Sequence, residues 1–290
     1  MKPYIKLLRP HHWSKNFLIF LPALAGGFIS HSNNLTHLLL GFLLFSLCAS
    51  CGYIVNDILD VKNDRKHYRK KFRPVASGAI TVSQALFCFV TGLLIVAVGA
   101  FLLDPSFFIL LCAYFLTSLT YSFLLKRIFL IDIITLVALY LCRIGAGLIL
   151  SPAFPTVWLF VFISLLFLSL ACLKRYSEVT LQISLKNNSL PGRGYSTKDG
   201  FLLRIMGYTT GLGAAATLIV YTQSDSVSQL YSTPEWLFML PLALTMWLLK
   251  AWALSQNNKI HSDPIVYTMK DASTYIAAVV CISSILLARY

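Results

Sequence analysis

Nine runs of apolar residues, each near the length that crosses a lipid bilayer as a helix, divide this chain. They lie near 14–30, 36–55, 83–103, 106–124, 129–150, 155–173, 202–222, 234–254 and 273–289. A helix rises about 1.5 Å per residue, so about 20 residues span a hydrocarbon core about 30 Å thick. Lipid gives backbone groups no hydrogen-bond partner, so runs of this length must satisfy themselves as helices. Only 12% of the 290 residues are charged and 57% are hydrophobic, which excludes an ordinary water-soluble domain. The expected fold is all-α: a polytopic membrane bundle of about nine transmembrane helices, forming one domain over 1–290.

Basic residues set the direction. Lys2, Lys6, Arg9 and Lys15 precede or open the first run. Lys62, Arg65, Lys66, Arg69, Lys70, Lys71 and Arg73 follow the second, and Lys126 and Arg127 the fourth. Lys174, Arg175, Lys186, Arg193, Lys198 and Arg204 follow the sixth, and Lys250, Lys259 and Lys270 the eighth. The other connections hold no Lys or Arg. The positive-inside rule therefore predicts an inner-membrane protein with a cytoplasmic N-terminus and a C-terminus on the far side. All 24 basic residues except Arg143 and Arg289 face the cytoplasm in this scheme. The formal charge of +13 is then a one-sided field that attracts anionic lipid, and no nucleic-acid partner is expected.

The seven cysteines, Cys48, Cys51, Cys88, Cys112, Cys142, Cys172 and Cys281, all lie in apolar runs and read as packing residues. No cleavable leader is visible, and the first run is expected to serve as its own insertion signal. Glycine-rich nucleotide loops, nucleophile elbows and zinc-ligand spacings do not occur.

The chemistry is expected where acid meets base at one membrane surface. Asn56, Asp57, Asp60 and Asp64 follow the second run directly. Helical offsets of three and four would bring Asp57, Asp60 and Asp64 near one face, with Asn56 beside Asp60. Three carboxylates on one face repel unless a cation lies between them. Hard oxygen ligands with an open shell suit Mg²⁺, which completes its octahedron with water and phosphate. The basic run from Arg65 to Arg73 comes next, so metal and cations can share the oxygens of a diphosphate. Asp57, Asp60 and Asp64 are thus expected to be both metal ligands and catalytic.

Asn-Asp-x-x-Asp-x-x-x-Asp, followed by Arg73-Pro74-Val75-Ala76-Ser77-Gly78, resembles the first signature of the UbiA-type intramembrane prenyltransferase superfamily. The likeness covers nearly the whole chain. It implies a UbiA-like bundle whose active-site cavity opens to the cytoplasm. Tyr121 and Lys126 resemble that superfamily's Tyr-x-x-x-Leu-Lys segment near the donor phosphates.

Aromatic prenyltransferases of the superfamily carry a second Asp-rich motif after the sixth helix. Here that place reads Leu173-Lys174-Arg175-Tyr176-Ser177-Glu178, followed by Pro191-Gly192-Arg193-Gly194-Tyr195. This stretch, with Leu8-Arg9-Pro10-His11-His12-Trp13-Ser14-Lys15-Asn16, resembles the decaprenyl-phosphate phosphoribosyltransferase branch. The resemblance implies transfer of 5-phosphoribosyl from phosphoribosyl diphosphate, bound through Mg²⁺, to a polyprenyl phosphate, feeding cell-envelope glycan synthesis. It also implies substrate contacts from Lys15, Asn56, Arg73, Tyr121, Lys126, Lys174, Arg175, Glu178, Arg193 and Tyr195. The alternative is prenyl transfer from a polyprenyl diphosphate to an aromatic or other polar acceptor. A transporter, the other class open to such a bundle, would spread polar residues through mid-membrane rather than crowd them on one side.

An anionic polyprenyl phosphate needs no strong general base, and none stands out among His11, His12, His31, His37, His67 and His261. Asp132 and Arg143 lie within the fifth run, where charges usually face a bundle interior. They are too far apart along a helix to pair, about 16 Å. Arg143 is expected to bind a buried carbonyl or brace the cavity, and Asp132 to contact ribose hydroxyls or the metal shell. The Pro191–Tyr195 glycines suggest a loop that closes on substrate. The lipid-facing surface can also support a homo-oligomer.

Overall fold

The computed structural model describes residues 2–26, 32–66, 70–153, 156–185, 190, 192–224, 227, 231–256 and 271–289. His31, His67, Arg69, Lys186, Pro191, Lys259, His261 and Lys270 lie outside these residues. The described part is helical, with short 3-10 turns between α-helices. The α-helices are α1 (Lys2–Leu8), α2 (Leu21–Gly26), α3 (Ser32–Leu59), α4 (Val61–Lys66), α5 (Val82–Leu103), α6 (Pro105–Phe123), α7 (Ile131–Ile149), α8 (Val157–Ser184), α9 (Gly200–Thr222), α10 (Met239–Gln256) and α11 (Ala272–Arg289). Among the described residues, eight helical segments are long and apolar enough to cross a membrane. Large apolar side chains such as Phe87, Leu102, Val157, Phe201 and Ile276 stand exposed along them. The chain is a multi-pass membrane protein, and this apolar exterior is its lipid face.

Sequence runs and helices differ at their ends. The run at 155–173 becomes α8, which continues through Lys174, Arg175 and Glu178 to Ser184. Lys, Arg and Glu are good helix formers, so the helix outlasts its apolar part. Likewise α3 runs past 55 to carry Asn56 and Asp57. The first run takes a different form: a 3-10 helix over Pro10–Phe20 followed by the short α2. Polar contacts to α3 fix it there, with Trp13 Nε1 donating to Ser50 Oγ at 3.0 Å and Asn16 Nδ2 to Ser46 Oγ at 2.9 Å.

Two compact units emerge, Met1–Leu125 with Ala138–Pro155, and Lys126–Val137 with Thr156–Tyr290. The first has a core of Ile19, Leu38, Phe45, Phe107, Leu111 and Tyr114. Gly147 admits the segment before α2, since a Cβ there would stand 2.1 Å from the Ile19 carbonyl oxygen. Asp104 caps α6, accepting from the Phe107 N–H at 3.0 Å, with Pro105 at the first helical position.

The second unit packs α8, α9 and α10 around Leu170, Cys172, Leu203 and Trp252. Small residues bring these helices close: a Cβ on Gly207 would overlap the Trp252 ring at 2.0 Å. Ser169 Oγ donates to the Gly207 carbonyl at 2.7 Å, so the close approach also satisfies a buried hydroxyl.

Candidate active site

Polar side chains collect in two clusters, one in each unit. In the first unit α3 ends at Leu59, Asp60 forms a turn and α4 restarts at Val61. This break changes the arrangement that uninterrupted helical spacing predicts. Asp57 and Asp64 are buried, whereas Asp60 is exposed. The turn also uses the Asp60 carbonyl, which accepts from the N–H groups of Asn63 and Asp64.

Arg73 joins the two buried carboxylates. Its Nη1 lies 2.6 Å from Asp64 Oδ2 and 3.2 Å from Asp57 Oδ1. Arg9, absent from the residues expected to form the site, donates to the same Asp57 Oδ1 at 2.5 Å. Arg9 itself has left-handed backbone angles, φ 51 and ψ 58, just before Pro10. That conformation costs a residue with a Cβ about 1–2 kcal/mol. Anchors on both sides hold it: the Leu8 carbonyl accepts from Ser50 Oγ at 2.7 Å, and the Arg9 carbonyl from the His12 N–H at 2.9 Å. The Arg9 guanidinium also lies 5.0 Å from the centre of the Tyr53 ring.

Asp57 Oδ2 is buried and has no hydrogen-bond partner. No three His, Cys, Asp or Glu side chains among the described residues gather as a metal-binding group. The donor set still suits Mg²⁺, which is commonly held by one or two carboxylates with substrate phosphate and water completing its shell. Asp57 and Asp64 supply two carboxylates, and Asp57 Oδ2 is an oxygen with no other partner.

Around this cluster, Asn56 Nδ2 donates to Ser122 Oγ at 3.2 Å, tying α3 to the end of α6 beside the half-buried Tyr121. Lys15 is exposed on the 3-10 helix, while the next residue, Asn16, is buried. Asn16 Oδ1 accepts from Arg143 Nε at 2.8 Å. Arg143 also donates to the carbonyl of the half-buried Leu139, one turn earlier on α7, and to the Tyr114 hydroxyl at 3.1 Å. Phe45, Tyr114 and Tyr140 surround its charge with aromatic rings.

The second unit holds a four-membered ring of charges. Arg175 Nε lies 3.0 Å from Asp132 Oδ2, and its Nη1 pairs with Glu178 Oε2. Arg193 bridges the same two carboxylates, with Nη1 3.1 Å from Asp132 Oδ2 and Nε 3.2 Å from Glu178 Oε2. The Arg175 and Asp132 side chains are 1% and 0% exposed, against 23% for Arg193 and 33% for Glu178. Only the outer half of the ring can meet a ligand without rearrangement. Lys174 and Lys126 are half-buried.

Tyr195 fastens the turn that carries Arg193. Its hydroxyl accepts from the Leu130 N–H at 3.3 Å, and its ring meets Phe129 edge-on at 5.1 Å. Leu130 has a left-handed φ of 61. The Leu190 N–H donates to the Tyr195 carbonyl at 2.9 Å, closing the turn on itself. Gly194 is required there, since a Cβ would come within 2.3 Å of the Arg127 carbonyl oxygen. Burial raises the Tyr195 phenol well above its usual range, and the Asp132 carboxylate adds to the effect. The hydroxyl therefore stays protonated at any working pH.

The UbiA prenyltransferase family matches residues 19–274. A protein of Sinorhizobium fredii, "Uncharacterized protein y4nM", is 34% identical over 99% of the chain, which spans 56% of its length. Nodulation protein NoeC of Azorhizobium caulinodans is 28% identical over 94% of the chain and 89% of its own length. Decaprenyl-phosphate phosphoribosyltransferase of Mycobacterium tuberculosis is 33% identical over 61% of the chain and 60% of its own. A UbiA homolog from Archaeoglobus fulgidus, solved with GPP and Mg²⁺, shares the fold at a TM-score of 0.69, with 17% identity over 99% of this chain and 100% of that one.

Proposed function

The chain belongs to the UbiA prenyltransferase family, and on that footing we propose that it transfers 5-phosphoribosyl from phosphoribosyl diphosphate to a polyprenyl phosphate, releasing pyrophosphate. The observation that carries this reading is the ring of Asp132, Arg175, Glu178 and Arg193. Both carboxylates near the place of a second acidic motif are already matched by arginines. Asp132 has both carboxylate oxygens engaged by arginines, unlike Asp57, whose Oδ2 has no partner. A second divalent cation therefore finds no open Asp132 oxygen there, whereas a phosphate can draw on Arg193 and Lys174. Similarity to the mycobacterial decaprenyl-phosphate phosphoribosyltransferase supports the same donor and acceptor.

In this reading the domain is one UbiA-like bundle over 1–290 in the inner membrane, with its site open to the cytoplasm. Asp57 and Asp64 would hold Mg²⁺, with the exposed Asp60 assisting from the rim; bound there, it would supply charge neutralisation for the pyrophosphate leaving group. Arg73, Lys15 and Tyr121 bind donor phosphates, with Asn56 steadying the end of α3. Arg175, fixed by Asp132, sets the position of Glu178, while Arg193 and Lys174 present charge to the second phosphate. Tyr195 keeps the Arg193 turn in place.

The acceptor phosphate is already anionic, so its oxygen attacks C1 of the ribose without prior removal of a proton. The bond from C1 to the pyrophosphate oxygen breaks as the new C–O bond forms, through an oxocarbenium-like state. The polyprenyl chain stays in lipid throughout, and the product enters cell-envelope glycan synthesis.

Donor choice tests this directly. Thermal unfolding of the detergent-purified protein with Mg²⁺ is expected to shift upward more with phosphoribosyl diphosphate than with geranyl diphosphate or inorganic pyrophosphate. A shift with the prenyl diphosphate alone would favour prenyl transfer instead.

A further inference from the structure

We propose that Arg9 is a resident counter-cation of the Asp57–Asp64 pair, which makes divalent-cation binding depend on a diphosphate arriving with it. The inference rests on the metal reading above and concerns what Arg9 adds to it. Two carboxylates and two guanidinium groups form a neutral cluster, with Asp57 1% and Asp64 3% exposed. Guanidinium groups do not lose their charge near neutral pH. A divalent cation entering alone therefore either adds two uncompensated positive charges to a poorly solvated pocket or displaces two arginines with no anion to receive them. A diphosphate removes both difficulties, because its oxygens accept from the guanidinium groups while the metal takes the carboxylates.

Arg9 is better suited than Arg73 to this exchange. It contacts Asp57 alone, whereas Arg73 bridges Asp57 and Asp64. Its left-handed backbone is fixed by the Ser50 and His12 contacts rather than by the carboxylate. Its guanidinium also faces Tyr53, whose ring still holds it after Asp57 is released. The side chain can therefore turn from carboxylate to phosphate without moving the chain that carries it. Coupling of this kind is reciprocal: whatever factor the diphosphate adds to metal affinity, the metal adds to diphosphate affinity.

The test is Mn²⁺ binding to the purified full chain by equilibrium dialysis, at matched free Mn²⁺, with and without inorganic pyrophosphate. Wild type is expected to bind Mn²⁺ at least about tenfold more tightly with pyrophosphate, within the usual range of coupling between sites. Arg9→Gln is expected to bind Mn²⁺ alone about tenfold more tightly than wild type does, and to gain less from pyrophosphate. Arg9→Lys, which keeps the charge, should resemble wild type. Removing a residue that merely positions a metal ligand would weaken Mn²⁺ binding, so the sign of the change decides. If Arg9→Gln binds Mn²⁺ alone no better than wild type, or if pyrophosphate leaves wild-type affinity unchanged, the role given to Arg9 is wrong. The wild-type comparison stands even if Arg9→Gln does not fold. If wild type binds no Mn²⁺ under either condition, the metal reading itself fails and takes this inference with it.

Discussion

Arg175 Nε lies 3.0 Å from Asp132 Oδ2, and neither side chain is more than 1% exposed. A pair so far from water is costly to form and more costly to break, because the survivor is left as a buried, unpaired charge. Asp132→Ala is expected to destabilise the protein by about 3 kcal/mol, the lower end of the usual range since Arg175 keeps Glu178. Asp132→Leu combined with Arg175→Met should recover most of that loss while leaving activity low. Thermal unfolding beside turnover separates the two effects. A double variant as unstable as Asp132→Ala would contradict this.

Asp57, Asp60 and Asp64 should not be equivalent. Asp57→Asn and Asp64→Asn are expected to abolish turnover with the protein still inserted, because both carboxylates are buried against Arg73. The exposed Asp60, replaced by Asn, should retain measurably more activity and metal affinity than either. Equal losses at all three positions would mean that the turn at Asp60 closes when substrate binds.

The Arg193 turn offers a reading of conformational closure. Gly194→Ala drives a Cβ into the Arg127 carbonyl and should open the turn, giving faster proteolysis between α8 and α9. Donor plus Mg²⁺ should slow cleavage of the wild-type turn and have little effect on the variant. Unchanged wild-type cleavage would rule out closure on substrate.

Tyr195→Phe removes the acceptor of the Leu130 N–H and leaves that donor beside a left-handed residue. A loss of about 1 kcal/mol is expected for a half-buried N–H that loses its partner. The phenol is held protonated by burial, so the wild-type contact should persist unchanged to alkaline pH. Unfolding temperatures of the two proteins compared across pH check both points.

Much of the bundle is legible in run length, because lipid leaves an apolar stretch no structure but a helix. Helix ends are not, since apolarity stops where Lys174 and Arg175 begin while the backbone of α8 continues to Ser184. The acidic motif is legible as a cluster of carboxylates, but its spacing assumes an unbroken helix and so misplaces Asp60. The decisive pairs are distant in sequence. Arg9 and Asp57 are 48 residues apart, and Arg175 and Asp132 are 43. A lone arginine before a proline reads as a topological charge until the fold brings α3 to it. The hint was present in the Leu8–Asn16 match, which places Arg9 beside residues with expected roles.

The identity of the transferred group separates phosphoribosyl transfer from prenyl transfer. Purified protein in lipid nanodiscs, given Mg²⁺, phosphoribosyl diphosphate labelled in the ribose and a polyprenyl phosphate, should yield labelled lipid together with free pyrophosphate. A parallel reaction with a prenyl diphosphate and an aromatic acceptor should yield no prenylated product. Prenylated acceptor in the second reaction, with no labelled lipid in the first, would contradict the account.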